Sequence, residues 1–182
     1  MSSAANKREF QPVSIAILTV SDTRALDDDK SGNILVERLT AAGHTLADRA
    51  IVTDDIPKIQ AVVKQWIEDK SIDVVISTGG TGLTGRDITP EAFKPLYDKE
   101  IDGWSTIFHK MSYEKIGVST IQSRTTAGVA GGTYLFALPG SPGACKDGWD
   151  GILVHQLDYR AGPCNFVEIM PRLDEHLQRS KT

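Results

Sequence analysis

Apolar residues in the chain follow two alternating patterns. Short, nearly continuous apolar runs are typical of parallel strands covered on both faces, whereas apolar positions three or four apart are typical of amphipathic helices. The runs predict a strand at 13–20, a second ending at 50–52, a third at 72–77 and a later one at 133–138. Because helical patterns separate the early strands, the order predicts parallel βαβ units.

The predicted helices carry start and stop signals. Ser31 suits the N-cap of the first helix, and Gly43 suits its end. Pro57 suits the first turn of the second helix. Further helical patterns run through 90–117, with a break near Gly103, and after 139–143 to about residue 157.

These elements predict the α/β fold class. We expect a single-domain, three-layer α/β/α architecture with a mostly parallel central sheet, because 182 residues suffice for one well-buried domain. The predicted domain covers 12–170, between a flexible N-terminal tail at 1–11 and a C-terminal tail at 171–182.

A large apolar stripe lies at helical spacing in the second half of the chain. It consists of Trp104, Ile107, Phe108 and Met111. Such a stripe is typical of a core or of a subunit interface. Because exposed apolar patches of a few hundred Å² usually mark interfaces, we expect the chain to form a homo-oligomer.

Composition narrows the class of protein. The net charge of -4 argues against a general nucleic-acid binder, and no apolar stretch reaches the roughly 18 residues that a membrane span needs. The start of the chain has no apolar segment of the secretory type. Cys145 and Cys164 do not form a CxxC pair, so a cytoplasmic location without disulfides is expected. The four histidines show no metal-ligand spacing.

Three loops follow predicted parallel strands, at 21–23, 78–87 and 139–143. In open α/β sheets, ligands bind at the carboxyl ends of the strands. The loops therefore predict one ligand site at that edge.

The loop at 78–87 is the most informative segment. Its glycines let the backbone approach a ligand and present N–H groups to phosphate oxygens, and Arg86 can meet an anion. A flexible turn is the simpler alternative. Residues 80–85 also match the dinucleotide-binding fingerprint literally, but four residues intervene before Pro90, so a dehydrogenase is a distant alternative and no bound redox cofactor is expected. A Walker-type loop is absent from the sequence.

The segment 139–143 is a second phosphate candidate. Ser141 can cap the following helix and Pro142 can start it. Plain helix initiation explains the same residues equally well.

Several charged residues are candidates for metal or phosphate chemistry. Asp54, Asp55 and Asp87 can hold Mg²⁺ beside phosphates, although a turn or cap explains the first two about as well. Asp22 is weaker as a candidate, because Ser-Asp-Thr is a common turn sequence. Arg124 can reach a phosphate, but a surface ion pair is the simpler interpretation. The run 27–29 is interpreted as a solvated acidic loop.

Together these segments resemble the MoaB/MogA family of molybdenum cofactor proteins over 13–166. The most specific element is Thr78-Gly-Gly-Thr-Gly82, followed by Arg86-Asp87 and Thr89-Pro90. Thr19-Val-Ser-Asp22 and Leu138-Pro-Gly-Ser-Pro142 support it. The segments at 119–124 and 160–166 are more similar to the MoaB branch.

The resemblance implies a trimer or a hexamer that adenylylates molybdopterin with ATP and Mg²⁺. The product would accept molybdate or tungstate through a downstream insertion protein. Asp54 and Asp87 would be the catalytic and Mg²⁺-holding aspartates, with Asp55 as the alternative to Asp54. The predicted substrate- and nucleotide-binding residues are Ser21, Asp22, Gly79, Gly80, Thr81, Gly82, Arg86, Ser123, Pro139, Gly140 and Ser141. A catalytically silent molybdopterin-binding or assembly protein is the competing hypothesis.

Overall fold

The computed structural model describes residues 8–176 of the chain. Its strands are β1 (Ser14–Val20), β2 (Thr45–Val52), β3 (Val74–Thr78), β4 (Lys99–Glu100), β5 (Thr126–Ala130) and β6 (Thr133–Leu138). Its helices are α1 (Lys30–Ala41), α2 (Ile56–Glu68), α3 (Thr89–Phe93), α4 (Asp102–Ile116), α5 (Pro142–Gly148), α6 (Val154–Gln156) and α7 (Phe166–Ile169). A 3₁₀ helix, Gly117–Gln122, follows α4, and a π-helical turn, Trp149–Leu153, joins α5 to α6.

The strands form one six-stranded sheet in the order β2-β1-β3-β6-β5-β4. β1, β2, β3 and β6 are parallel, whereas β5 is antiparallel to both of its neighbours. The α/β class with a mostly parallel sheet, predicted from the apolar runs, is confirmed.

Alternation along the central strands explains why their sequences are apolar throughout. In β1, Ile15 and Ile17 pack into one core cluster, together with residues of α1, α4 and α5. Ala16 and Leu18 pack into a second cluster with α2 and α3. Because successive side chains point to opposite faces, a strand between two layers must be apolar at every position.

The segment between β3 and β5 differs from the predicted helical stretch at 90–117. Helix α3 ends at Phe93, and the chain forms the two-residue strand β4 before α4 begins at Asp102. β4 pairs with β5, a strand of small residues whose Gly128 lies against the Tyr97 ring. Short strands of this kind owe their conformation to neighbouring strands, so they leave little local signal.

Asp29 is not part of a solvated loop, contrary to the interpretation of the 27–29 run. Its side chain is fully buried. It accepts hydrogen bonds from Thr19 Oγ1 at 2.6 Å and from Gly32 N at 2.9 Å, and it pairs with Arg49 at 2.9 Å. A buried carboxylate is tolerated here because it is both hydrogen-bonded and ion-paired.

Asp29, not Ser31, is therefore the N-cap of α1. Ser31 lies inside the helix, and its hydroxyl donates to the Gly140 carbonyl at 2.8 Å. The predicted cap residue instead ties α1 to the loop that follows β6.

The apolar stripe on α4 is divided between core and surface. Trp104 and Phe108 are buried in the core of a single chain, so they are not available to a partner. Ile107 remains 47% exposed. The stripe as a whole is thus not an interface, because half of it is needed to cover β5 and β6.

Both termini lie partly outside the described residues. Of the predicted N-terminal tail, only 8–11 is described; there Arg8 hydrogen-bonds Glu168, and the Phe10 ring lies 5.2 Å from that of His44. Residues 1–7 and 177–182 fall outside, so the boundaries of the predicted tails stay predictions. Within 8–176, no helix is long and apolar enough to cross a membrane.

Candidate functional site

Four parallel strands end at the same edge of the sheet. The backbone hydrogen bonds from Ser21 N to Val52 O, at 2.9 Å, and from Gly79 N to Leu138 O, at 3.0 Å, link the ends of neighbouring strands. The loops after β1, β2, β3 and β6 consequently emerge side by side, as expected for a ligand site at the carboxyl edge.

The loop after β3 turns sharply at two glycines. Gly79 has φ +103° and Gly80 has φ +63°, conformations that side chains rarely adopt. Thr89 holds the turn: its Oγ1 donates to Gly79 O at 2.8 Å, and its N donates to Gly80 O at 2.9 Å. A Cβ on Gly79 would lie 2.2 Å from Val20 O.

Gly79→Ala should destabilise the fold by at least about 2 kcal/mol, because it combines a strained φ with contact against backbone of β1. Gly85→Ala is the matched control in the same loop. Its φ is not positive, and a Cβ there meets no atom of 8–176 within 4 Å apart from its chain neighbours. It should change stability by less than about 0.5 kcal/mol. Urea unfolding measures the stability of both variants. Equal stabilities would contradict the conclusion that the turn requires glycine at position 79.

A cavity of about 370 Å³ lies between the glycine loop and the loop after β6. It brings together eight of the predicted site residues. They are Gly80, Thr81, Gly82, Asp87, Ser123, Pro139, Gly140 and Ser141. Gly80 and Thr81 line the cavity, and their N–H groups donate to no other residue within 8–176. Such donors suit an anion.

The opposite wall of the cavity was predicted only at Ser123. It comes from α4 and the 3₁₀ helix and includes Phe108, Ser112, Ile116 and Thr120. The Oγ atoms of Thr120 and Ser123 are buried and have no hydrogen-bond partner in the described part of the chain. Buried unpaired hydroxyls are costly, so these two fit a polar ligand. The only sequence signal for this wall was the family-like segment 119–124.

Asp87 is held inside its own loop. Its Oδ2 accepts from Thr84 N at 2.9 Å and from Thr84 Oγ1 at 2.6 Å. Burial raises the pKa of Asp87, but hydrogen bonds from Thr84 and from the Gly82 backbone outweigh it, and the net pKa lies below the usual range. Asp87 is therefore a fixed carboxylate at the cavity wall.

Asp54 lies beside the glycine loop without lining the cavity. Its Oδ1 is 3.1 Å from the position that a Cβ on Gly80 would occupy. Burial raises the pKa of Asp54, and the negative charges of Asp22 and Asp87 raise it further. Asp55 instead caps α2, its Oδ1 accepting from Lys58 N at 3.0 Å. The geometry thus favours Asp54 over Asp55 as the carboxylate of the site.

Asp22 and Arg86 form an ion pair outside the cavity. Arg86 Nε donates to Asp22 Oδ2 at 2.9 Å and its Nη2 donates to Asp22 Oδ1 at 2.7 Å. Asp22 also accepts from Asp54 N at 3.1 Å, and the hydrogen bonds from Arg86 hold the pKa of Asp22 below its usual range. Because the Arg86 side chain is 66% exposed, an incoming anion can compete for it.

Ser21 and Ser141 have local partners. Ser21 Oγ accepts from the backbone of Thr23 and Arg24, both at 3.3 Å, and Ser21 does not line the cavity. Ser141 lines the cavity and caps α5, as predicted, accepting from Ala144 N at 3.1 Å. Gly79 lies behind the cavity, its Cα 3.2 Å from where a Cβ on Gly140 would stand.

No group of three or more His, Cys, Asp or Glu side chains within 8–176 is arranged to hold a metal ion by itself. Mg²⁺ commonly uses one or two carboxylates and completes its shell with water and substrate phosphates. Asp54 and Asp87 fit that mode of binding. They do not fit a site in which protein side chains supply every ligand of the metal.

Comparison with known proteins identifies the family. A family model described as "Probable molybdopterin binding domain" matches residues 16–159. "Molybdenum cofactor biosynthesis protein B" of Escherichia coli K12 is 49% identical over 158 residues, covering 87% of this chain and 93% of that protein. "Probable molybdopterin adenylyltransferase" of Methanocaldococcus jannaschii is 39% identical over 146 residues, covering 76% and 86% respectively.

The fold agrees with the sequence comparison. A crystal structure of a molybdenum cofactor biosynthesis protein B superposes with a TM-score of 0.79 at 35% identity, covering 94% of this chain and 99% of that one. With a matching domain model, these relatives and this fold, the chain belongs to the MoaB/MogA family of molybdenum cofactor biosynthesis proteins.

Proposed function

We propose that the protein transfers an adenylyl group from ATP to molybdopterin. The terminal phosphate of molybdopterin forms a new bond to the α-phosphorus of ATP, the bond to the β-phosphate breaks, and pyrophosphate leaves. The observation that carries the proposal is the cavity itself, which is lined by the glycine loop with its two unbonded N–H groups, by two unpaired hydroxyls and by Asp87. The name of the Methanocaldococcus jannaschii relative supports the same reaction.

The residues divide into those that hold phosphates and those that carry charge. Gly80 N and Thr81 N, with Thr120 Oγ1 and Ser123 Oγ, are suited to phosphate oxygens, because donors fixed in advance cost no reorganisation during the reaction. Asp87, fixed by Thr84, and Asp54, beside Gly80, would hold Mg²⁺ together with the phosphates. Mg²⁺ supplies neutralisation of phosphate charge at such a site.

A catalytically silent molybdopterin-binding protein is the competing function. The Escherichia coli relative, at 49% identity, carries a pathway name without an activity. ATP-dependent release of pyrophosphate, measured with molybdopterin, Mg²⁺ and wild-type protein, separates the two. Release in step with loss of ATP supports the transferase, whereas molybdopterin binding without release supports the silent protein. We expect the product to pass to a protein that inserts molybdate or tungstate.

We also propose that the protein forms a trimer or a hexamer. Exposed apolar side chains accumulate on α4 and the following 3₁₀ helix: Ile107, Tyr113, Ile116, Val118 and Ile121. Large side chains of this kind are commonly covered by a second copy of the chain. Light scattering at micromolar concentration should give three or six times the chain mass of 19.8 kDa. A monomeric mass would contradict the proposal.

A further inference from the structure

Arg124 binds the glycine loop from outside. Its Nε donates to Gly82 O at 2.7 Å, and its Nη2 donates to Asp87 O at 2.6 Å. The Arg124 backbone N also donates to Thr81 O at 2.8 Å. Its Nη1 forms an ion pair with Glu91. The surface ion pair expected from the sequence exists, but it is one of four contacts and the other three go to the loop.

The two contacts of the Arg124 guanidinium hold the segment from Gly82 to Asp87 at both of its ends. Within that segment, Thr84 donates two hydrogen bonds to the Asp87 carboxylate, Asp87 N donates to Thr84 O, and the Gly82 backbone also hydrogen-bonds the Asp87 carboxylate. These bonds shape the turn but do not attach it to the sheet. Arg86 ties the turn to Asp22 in the loop after β1 through an exposed ion pair. Arg124, which lies immediately before Thr125 and β5, attaches both ends of the turn.

Each of the three guanidinium nitrogens of Arg124 already has a partner. A planar guanidinium satisfies several acceptors at fixed angles, which a lysine ammonium does not reproduce. Arg124 is thus suited to holding backbone in place, and it is poorly suited to meeting a substrate phosphate.

We propose that Arg124 is the positioning residue of the site, which sets the place of Asp87 and of the loop N–H groups relative to the bound phosphates. This inference rests on the proposed adenylyl transfer for its catalytic consequence. Its structural part, that Arg124 orders the loop, does not depend on any activity.

A second cavity makes the proposal testable by chemical rescue. It measures about 690 Å³ and is lined by Arg124, Glu91 and Ser123, among others. Space beside the guanidinium lets a free guanidinium ion enter when the side chain is shortened. Rescue would restore the contacts to the carbonyls without restoring the covalent chain.

Arg124→Ala should lower kcat of pyrophosphate release by about 10- to 100-fold, because a displacement of about 1 Å at a reacting group costs up to about 10² in rate. The KM for ATP should change less than kcat. Millimolar guanidinium should restore part of the lost kcat in Arg124→Ala and none in Asp87→Asn. Arg124→Lys should remain defective, whereas Glu91→Gln, which leaves the carbonyl contacts intact, should stay within about threefold of wild type.

Arg38→Ala is the matched control, since Arg38 is similarly half-buried and pairs with Asp150 without touching the loop. It should neither lose kcat nor respond to guanidinium. A kcat of Arg124→Ala that matches this control, or a loss with no guanidinium response in a protein of normal melting temperature, would overturn the positioning role.

Hydrogen exchange of the substrate-free protein tests the loop independently of the reaction. The amides of Thr84, Asp87 and Thr89 are hydrogen-bonded within the loop region and should exchange about tenfold or more faster in Arg124→Ala, while the amides of β1 and β3 stay protected. If wild-type protein releases no pyrophosphate, the proposed function fails and this measurement still decides the positioning role. Unchanged loop exchange would overturn that role.

Discussion

Asp87→Asn is expected to reduce kcat of adenylyl transfer by about 10²–10³, the usual loss when one transition-state electrostatic contact is removed. Asp87 lines the cavity, and its low pKa keeps it ionised under assay conditions. Molybdopterin affinity should survive, because Gly80 N and Thr81 N are untouched and one negative charge has gone. The kcat and the molybdopterin Kd of the variant are the deciding measurements.

The same substitution should also cost stability, by about 1 kcal/mol near neutral pH, because Asp87 accepts two hydrogen bonds from Thr84. The direction of the pH dependence of stability follows from the pKa of Asp87. Asp87 has a lowered pKa in the fold, so its ionised form stabilises the protein above the ordinary aspartate pKa. That contribution is lost as pH falls through the lowered value, and the difference between wild type and variant should shrink in acid.

Thr84→Val separates the two roles of Asp87. It removes the 2.6 Å hydroxyl bond but leaves the charge and the backbone bond from Thr84 N. We expect a stability loss similar to that of Asp87→Asn with a much smaller loss of kcat. Near-normal kcat in a folded Asp87→Asn protein would remove Asp87 from the catalytic group.

Asp54→Asn should likewise lower kcat by about 10² or more, yet raise the melting temperature at pH 7. Burial and the charges of Asp22 and Asp87 raise the pKa of Asp54, so the fold disfavours its ionised form. A raised pKa contributes stability below the ordinary aspartate pKa and loses it as pH rises through the raised value. The neutral amide avoids that loss, and its advantage should disappear in acid.

The control for Asp54 is its neighbour. Asp55→Ala removes the cap of α2 and should cost about 1 kcal/mol of stability with kcat retained. Melting temperatures at pH 7 and pH 4, with kcat at pH 7, distinguish the pair. If Asp54→Asn loses stability at pH 7 while Asp55→Ala loses kcat, the assignment of the two aspartates is reversed.

Some features of this protein follow from local sequence alone. The uninterrupted apolar runs of β1, β3 and β6 reflect strands covered on both faces, and each run ends where a turn begins. Because parallel strands present their carboxyl ends at one edge, the loops after them were predicted to meet, and two of the three border one cavity. The site residues carried by those two loops were therefore accessible from sequence.

The far wall of the cavity was not accessible in the same way. Thr120 follows a helix and was not predicted, and Ser123 was predicted only through the family resemblance of the segment 119–124. They reach the site because α4 packs over β5 and β6 and delivers the 3₁₀ helix to the edge of the sheet. The packing of α4 also decided that Trp104 and Phe108 belong to the core while Ile107 does not.

The amino-acid sequence by itself determined the four parallel strands, their common edge and the glycine loop with Asp87, because periodicity and turn chemistry act over a few residues. It did not determine β4 and β5, which owe their conformation to neighbouring strands. Only the tertiary structure decided the environments of Asp29 and Arg124. Asp29 can be buried because Thr19 and Arg49 bind its carboxylate. Arg124 holds the glycine loop because Gly82 and Asp87, about forty positions away in the chain, fold against it. The environments of these two charges depend on partners distant in the chain, and local pattern carries no information about such partners.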